Sequence, residues 1–161
     1  MTHNQKTYLV LIGIIAICLG AGGLGGWATS SSVATWFPTL VKPSWNPPAW
    51  LFGPVWTTLY IMMAVAMWLV WKTDTKLVRI KPAVILFGSQ LLLNLAWSFL
   101  FFGARSPGLA LLDIIALWLA IVATIYAFYQ QSKWAGILLL PYFAWVSFAS
   151  VLNFTIWRLN G

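Results

Sequence analysis

Few side chains in this 161-residue sequence can do acid–base or nucleophilic chemistry. There is one histidine (His3), one cysteine (Cys18) and two acids (Asp74 and Asp113), with no glutamate. A general acid or base must lie within hydrogen-bond reach of the proton it moves. No carboxylate pair, nucleophile–base pair or glycine-rich phosphate loop is visible, so an ordinary hydrolase or dehydrogenase is disfavoured. The same set cannot supply the usual zinc ligands, and no metal is expected. One cysteine cannot make a disulfide framework. What is abundant is indole: 12 Trp, beside 10 Phe and 5 Tyr. Indoles stack, donate hydrogen bonds and, with light and oxygen, form radicals.

The elements that must position these rings are membrane helices. Hydrophobic residues make up 61% of the chain, charged residues 7%, and the mean hydropathy is +0.88. A soluble domain carries about 25% charged residues, so this composition implies an integral membrane protein. The hydrocarbon core needs about 20 apolar residues per helical span. Five such stretches are present, at residues 8–28, 47–71, 82–103, 107–130 and 134–158. Period-two alternation, the barrel signature, is absent, and helices then satisfy the backbone in lipid. The expected fold is an all-α, five-transmembrane-helix bundle forming a single membrane domain. An uncleaved first span is favoured over a signal peptide, because its apolar run is longer than a signal core.

Local signals mark the ends of these spans. Asn46 is placed to cap the second helix with Pro47 in its first turn, and Ser106 with Pro107 repeats that arrangement for the fourth. Pro82 is expected to open the third helix and Gly103 to close it. Pro54 and Pro141 should bend the second and fifth helices. Gly22-xxx-Gly26 and Ala16-xxx-Gly20 allow close helix approach. Residues 72–81 form a basic loop, and 104–106 and 131–133 tight turns. Residues 29–46 form the long connection, and its Trp36, Phe37, Leu40, Val41 and Trp45 imply that it packs down on the bundle. Long ordered loops are usually functional.

Charge orients the bundle. Lys6, Lys72, Lys76, Arg79, Lys81 and Lys133 lie on one side, and Lys42, Arg105 and Arg158 on the other, which favours a cytoplasmic N-terminus. The net charge of +7 is dispersed over loops and tails, so no nucleic-acid partner is expected. Tryptophan is biased the other way, toward the long loop. A belt explains about half of the indoles, and the remainder suggest an aromatic chamber for a flat apolar ligand. Inside the bilayer Asp113 is the lone acid. A structural clamp to Arg105, or a hydrogen bond to an indole, is favoured over a proton or ligand role. Gln90, Asn94 and Ser98 form one polar stripe on the third helix. It is read first as interhelical hydrogen bonding and second as a ligand contact from Asn94. Trp56, Tyr60, Met63, Met67 and Trp71 share a face of the second helix, and Trp145, Ala149, Leu152 and Ile156 a face of the fifth.

Four segments carry a family resemblance: KPSW-x-PP at 42–48, GPVW-x-x-LY at 53–60, FFGAR at 101–105 and AxVLN-x-x-x-WR at 149–158. Together with their surroundings across all five spans, they resemble the translocator protein family, also called the peripheral benzodiazepine receptor or tryptophan-rich sensory protein family. The resemblance implies a five-helix bundle that binds porphyrins under a lid formed by the first long loop. Bacterial members are linked to tetrapyrrole handling, stress sensing and light-dependent porphyrin breakdown, and many form homodimers. It implies ligand contacts at Trp45, Pro47, Phe52, Trp56, Asn94, Trp97, Trp145, Ala149 and Leu152. Two positions depart from animal members. Phe154 stands where their sterol stretch has Tyr, in a motif already weak, and Leu109 stands where they often have Trp.

Three functions follow as expectations. The first is a receptor or carrier for tetrapyrroles such as protoporphyrin in a bacterial cell membrane. Lys42, Arg105 and Arg158 would meet propionates, and Asp113, Gln90 and Ser98 would be structural polar residues. No obligatory cofactor is expected beyond porphyrin as ligand. The second is light- and oxygen-dependent porphyrin degradation through Trp56 and Trp145, the one enzymatic reading left open. The third is a small-molecule transporter, ranked last because Asp113 lies near one end of its span and no internal repeat is visible.

Overall fold

A computed structural model describes the backbone of residues 3–73 and 77–161 and the side chains of residues 5–73 and 80–161. The side chain of His3, all of Asp74 and Lys76, and the side chain of Arg79 lie outside the described residues. The described residues form six α-helices: α1 (His3–Thr35), α2 (Ala49–Thr73), α3 (Leu77–Ser98), α4 (Pro107–Gln131), α5 (Lys133–Leu138) and α6 (Leu140–Asn160). Five stretches are long and apolar enough to cross a bilayer: Gln5–Thr35, Ala49–Thr73, Ile80–Gly103, Pro107–Gln131 and Lys133–Asn160. The last joins α5 and α6. Among the described residues there is no strand, and the fold is an all-α five-span membrane bundle.

Several element ends differ from the sequence expectation, each for a local reason. The first helix does not stop at residue 28. Thr29, Ser30 and Thr35 turn their hydroxyls back onto the carbonyls of Gly26, Trp27 and Ser31 at 2.7–2.8 Å. The hydroxyls thus find acceptors within the helix itself, although such residues are neutral to unfavourable in helix interiors. The connection is therefore residues 36–48, opened by a 3-10 turn at Phe37–Thr39. Asn46 does not cap α2. Its Nδ2 donates to the Pro47 carbonyl at 2.9 Å, and α2 begins at Ala49 because a residue before proline avoids helical angles. Pro82 does not open α3; it sits inside it, beyond the first turn, so one intrahelical bond is lost. Ser106 does cap α4, accepting from the Leu109 amide at 3.4 Å.

Gly103 does not close the third span in the left-handed conformation. The span instead ends in a π turn at Phe99–Gly103, with the Ala104 amide bonded to the Phe99 carbonyl at 2.7 Å. Arg105 takes the left-handed backbone, at φ 50°. The fifth span is not one bent helix either. It breaks at Leu139, and Pro141 falls in the first turn of α6, where its missing amide costs least.

The bundle is solid at one end. Met63, Ala64, Ala66 and Val70 of α2 are fully enclosed, against Ile80 of α3, Ile121 and Phe128 of α4 and Ala135 of α5. Phe87 and Phe128 stack there with centroids 5.9 Å apart. Lipid offers no hydrophobic force between helices, so this close packing supplies the cohesion. The opposite end, under the connection of residues 36–48, is hollow.

Candidate functional site

The hollow end holds a cavity of about 480 Å³, within the usual range of small-molecule sites. One wall is α1, through Leu19, Gly22, Gly23, Gly26 and Thr29. Gly22 faces Tyr60 so closely that a β-carbon would lie 2.6 Å from the ring; only glycine lets α1 approach α2 there. The facing walls are aromatic: Phe52, Trp56 and Tyr60 from α2, Trp97 from α3, Phe101 and Phe102 from the π turn, and Trp145 from α6. Phe52 meets Trp145 edge-on at 5.9 Å, and Trp97 stacks on Phe101 at 5.1 Å. The α6 face of Ala149, Leu152 and Ile156 completes the enclosure, and Phe37 enters it from the lid. Among the described residues, no charged side chain lines this space.

Its polar floor is a chain of buried hydrogen bonds. The Tyr60 hydroxyl donates to Asn94 Oδ1 at 2.6 Å, and Asn94 Nδ2 donates to the Tyr142 oxygen at 3.0 Å. Tyr142 in turn donates to Gln90 Oε1 at 2.8 Å. Three helices are thereby tied together at one level by directional bonds in a low-dielectric interior. Gln90 Nε2 ends the chain buried and without a partner. Trp97 is oriented separately: its Nε1 donates to Asn153 Oδ1 at 2.9 Å, and Asn153 Nδ2 donates to the Pro107 carbonyl at 2.8 Å. Buried indole N–H groups need such partners.

A five-span bundle with an aromatic chamber is the arrangement the resemblance implied, and comparison with known proteins decides the family. The model of the TspO/MBR family matches residues 14–158. The chain belongs to the TspO/MBR family. The tryptophan-rich protein TspO of Chlorobaculum tepidum is 51% identical over 156 residues, covering 97% of this chain and 99% of that protein. The translocator protein of Homo sapiens is 45% identical over 130 residues, covering 78% of this chain and 75% of its own length. The tryptophan-rich sensory protein of Cereibacter sphaeroides is 39% identical over 125 residues, with 78% and 77% covered. This TspO/MBR family member is thus a multi-pass membrane protein with a bilayer environment.

Of the residues expected at the ligand, Phe52, Trp56, Asn94, Trp97, Trp145, Ala149 and Leu152 line the cavity, and Ser98 joins them. Trp45 and Pro47 do not. Trp45 packs edge-on against Phe148 of α6 at 5.8 Å. Lys42 is not a free cation. Its Nζ donates to the carbonyls of Phe37 and Leu40 at 2.8 Å and of Pro38 at 3.4 Å, and sits 5.0 Å over the Phe37 ring. It caps the exposed carbonyls of the 3-10 turn. Arg105 and Arg158 are exposed and outside the lining.

Asp113 forms neither the expected Arg105 clamp nor a bond to an indole. Its Oδ2 is buried without a hydrogen-bond partner, and among the described residues no ion pair reaches it. Arg105, at a left-handed turn, is exposed, and the indoles of Trp97 and Trp118 donate to Asn153 and Ser147. Sequence reasoning missed the α1 wall, Tyr60 as a wall residue, and Phe102. The α1 glycines were a visible signal, but they were assigned to helix contact. Nothing in the sequence announces the π turn that brings Phe101 and Phe102 to the cavity; such turns recur at functional sites.

Proposed function

We propose that this protein is a membrane receptor or carrier for tetrapyrroles, with protoporphyrin as the representative ligand. The observation that carries the reading is the neutral aromatic chamber. Phe52, Trp56, Trp97 and Trp145 offer several ring faces to a flat macrocycle. An uncharged lining favours an apolar ring inside, since unpaired carboxylates are costly to bury. Propionates would project past the mouth, toward the exposed Arg105 and Arg158. The family names of relatives, tryptophan-rich sensory protein and translocator protein, fit a sensing or carrying role. The Lys/Arg bias supports a cytoplasmic N-terminus, in a bacterial cell membrane, and the protein is expected to act as a homodimer. Titration of the purified protein with protoporphyrin should quench tryptophan fluorescence saturably. Quenching that never saturates would remove the reading.

A second reading, photo-oxidative porphyrin degradation, is favoured by one arrangement. Trp56 lies 5.6 Å from Tyr60 and 6.3 Å from Tyr142, so three oxidisable rings adjoin at the cavity floor. Illumination of the porphyrin complex in air tests it. Product formation unchanged in Trp56→Phe would take Trp56 out of any such chemistry.

A further inference from the structure

The cavity has a mouth, and its place follows from how α1 is held. Toward the solid end α1 runs against α2: Trp68 Nε1 donates to the Thr7 carbonyl at 3.1 Å, and Gly22 meets the Tyr60 ring. Beyond Gly22 the hold passes to the third span. A β-carbon at Gly25 would lie 3.1 Å from Ser98 Oγ, and the Ser32 hydroxyl donates to the Phe102 carbonyl at 2.7 Å. On the seam between this half of α1 and the start of α2 the packing opens. Beyond their own helix neighbours, β-carbons at Gly23, Gly26 and Gly53 meet nothing within 4 Å. Among the described residues, every exposed member of the cavity lining belongs to α1 or α2, with Gly23, Gly26 and Val33 on one bank and Ala49, Gly53 and Thr57 on the other. The lining residues from α3, the π turn and α6 are buried or half-buried.

We propose that the α1–α2 seam is a portal from the cavity into the bilayer, and that a phospholipid acyl chain reaches through it to fill the cavity when no other ligand is held. Depth supports hydrocarbon at the mouth. The bilayer core covers about 20 helical residues, and Gly23 and Gly26 fall in that central part of the span Gln5–Thr35, as Gly53 and Thr57 do in Ala49–Thr73. The lining supports a chain over water, which needs two to four polar partners. Tyr60 and Asn94 bond each other, Asn153 bonds Trp97 and the Pro107 carbonyl, and Thr29 and Thr57 bond carbonyls of their own helices. An apolar wall left unfilled forfeits dispersion contacts, and an acyl chain restores them. The glycines on the two banks keep the way clear because they carry no side chain into it. One consequence rests on the cavity being the tetrapyrrole site: an apolar macrocycle dissolved in the bilayer enters by the same seam and displaces the chain.

The test uses the full chain in nanodiscs whose phospholipid carries a photoactivatable diazirine within one acyl chain. After illumination without other ligand, mass spectrometry should find lipid adducts on Leu152 and Ile156 of the cavity wall, which are 7% and 1% exposed, as well as on the exposed Leu112 and Leu119 of α4. Adducts confined to exposed residues overturn the proposal, and wild type alone decides this. Gly26→Leu then narrows one bank and Thr57→Leu the other. Gly26 has open space at its β-carbon and Thr57 is exposed, so both variants should melt with wild type. Each should cut the interior adducts several-fold and leave those on Leu112 and Leu119 unchanged. Interior adducts at the wild-type level in both variants overturn the seam as the way in. Protoporphyrin should quench tryptophan fluorescence several-fold more slowly in both, and an unchanged rate overturns its entry through the seam. If wild type shows no saturable quenching, the tetrapyrrole reading falls alone, and the adducts on Leu152 and Ile156 by themselves uphold or overturn the portal.

Discussion

The two ends of this bundle are built from the same five spans on opposite rules. At the basic end, Met63, Val70, Ile121 and Phe128 fill the space between helices until no gap remains. At the lid end, the small residues Gly22, Gly53, Ser98 and Ala149 are among those lining a cavity of about 480 Å³. Large side chains occupy the seams at the solid level, and small ones adjoin the chamber. The fixing devices differ too. Dispersion contacts hold the solid end, while hydrogen bonds hold the hollow one: the Tyr60–Asn94–Tyr142–Gln90 chain and the Trp97–Asn153 pair. A chamber cannot be held by filling it, so its walls must be tied by directional bonds.

Substitutions at the two ends should therefore separate stability from binding. The largest effect is expected from Phe128→Ala, in the solid end. Removing a fully buried ring should cost about 3–5 kcal/mol, read by denaturant titration in micelles, while protoporphyrin affinity of the folded fraction stays the same. Loss of affinity without loss of stability would break the contrast. Next is Gly22→Ala, at the border of the two ends. Its β-carbon would press on the Tyr60 ring, and overpacking of this kind costs about 1–3 kcal/mol. Because Tyr60 anchors the hydrogen-bonded floor, this variant should lose both melting temperature and fluorescence quenching.

Gly53→Leu should cost mainly affinity. Beyond its chain neighbours a β-carbon at Gly53 meets nothing within 4 Å, but Pro54 follows it inside α2, and a side chain before a helical proline is disfavoured, so the melting temperature should fall slightly. The new side chain projects beside the cavity wall, and protoporphyrin affinity should fall about tenfold, roughly the cost of 1.4 kcal/mol. A variant with wild-type affinity would show that the α2 wall is not used. The smallest effect is expected at Arg105→Gly. The left-handed backbone there (φ 50°) costs a non-glycine residue about 1 kcal/mol, so the melting temperature should rise by a few degrees with binding unchanged.

Legibility followed the same division. The spans were readable because apolar length alone signals them, and the α4 start was readable because Ser106 and Pro107 act locally. The aromatic wall of Phe52, Trp56, Trp97 and Trp145 was readable in part, through residue type and the family motifs. The role of the α1 glycines was not, because close contact and open wall look identical in sequence: Gly22 touches Tyr60 while Gly23 and Gly26 face open space. Lys42 was misread for a related reason. Its charge was visible, but the carbonyls that consume it exist only once Phe37–Thr39 forms a 3-10 turn.

By itself the sequence determined the solvent, the number of spans and the kind of chemistry available. Those follow from composition and from apolar run length, which need no folded neighbour to act. Tertiary structure alone decided which small residues became wall and which became contact. It placed the Arg105 turn where no clamp to Asp113 forms, and it brought Asn160 to Val41, 119 positions away. These outcomes depend on what another helix presents at the same level, and that information is nonlocal in the chain.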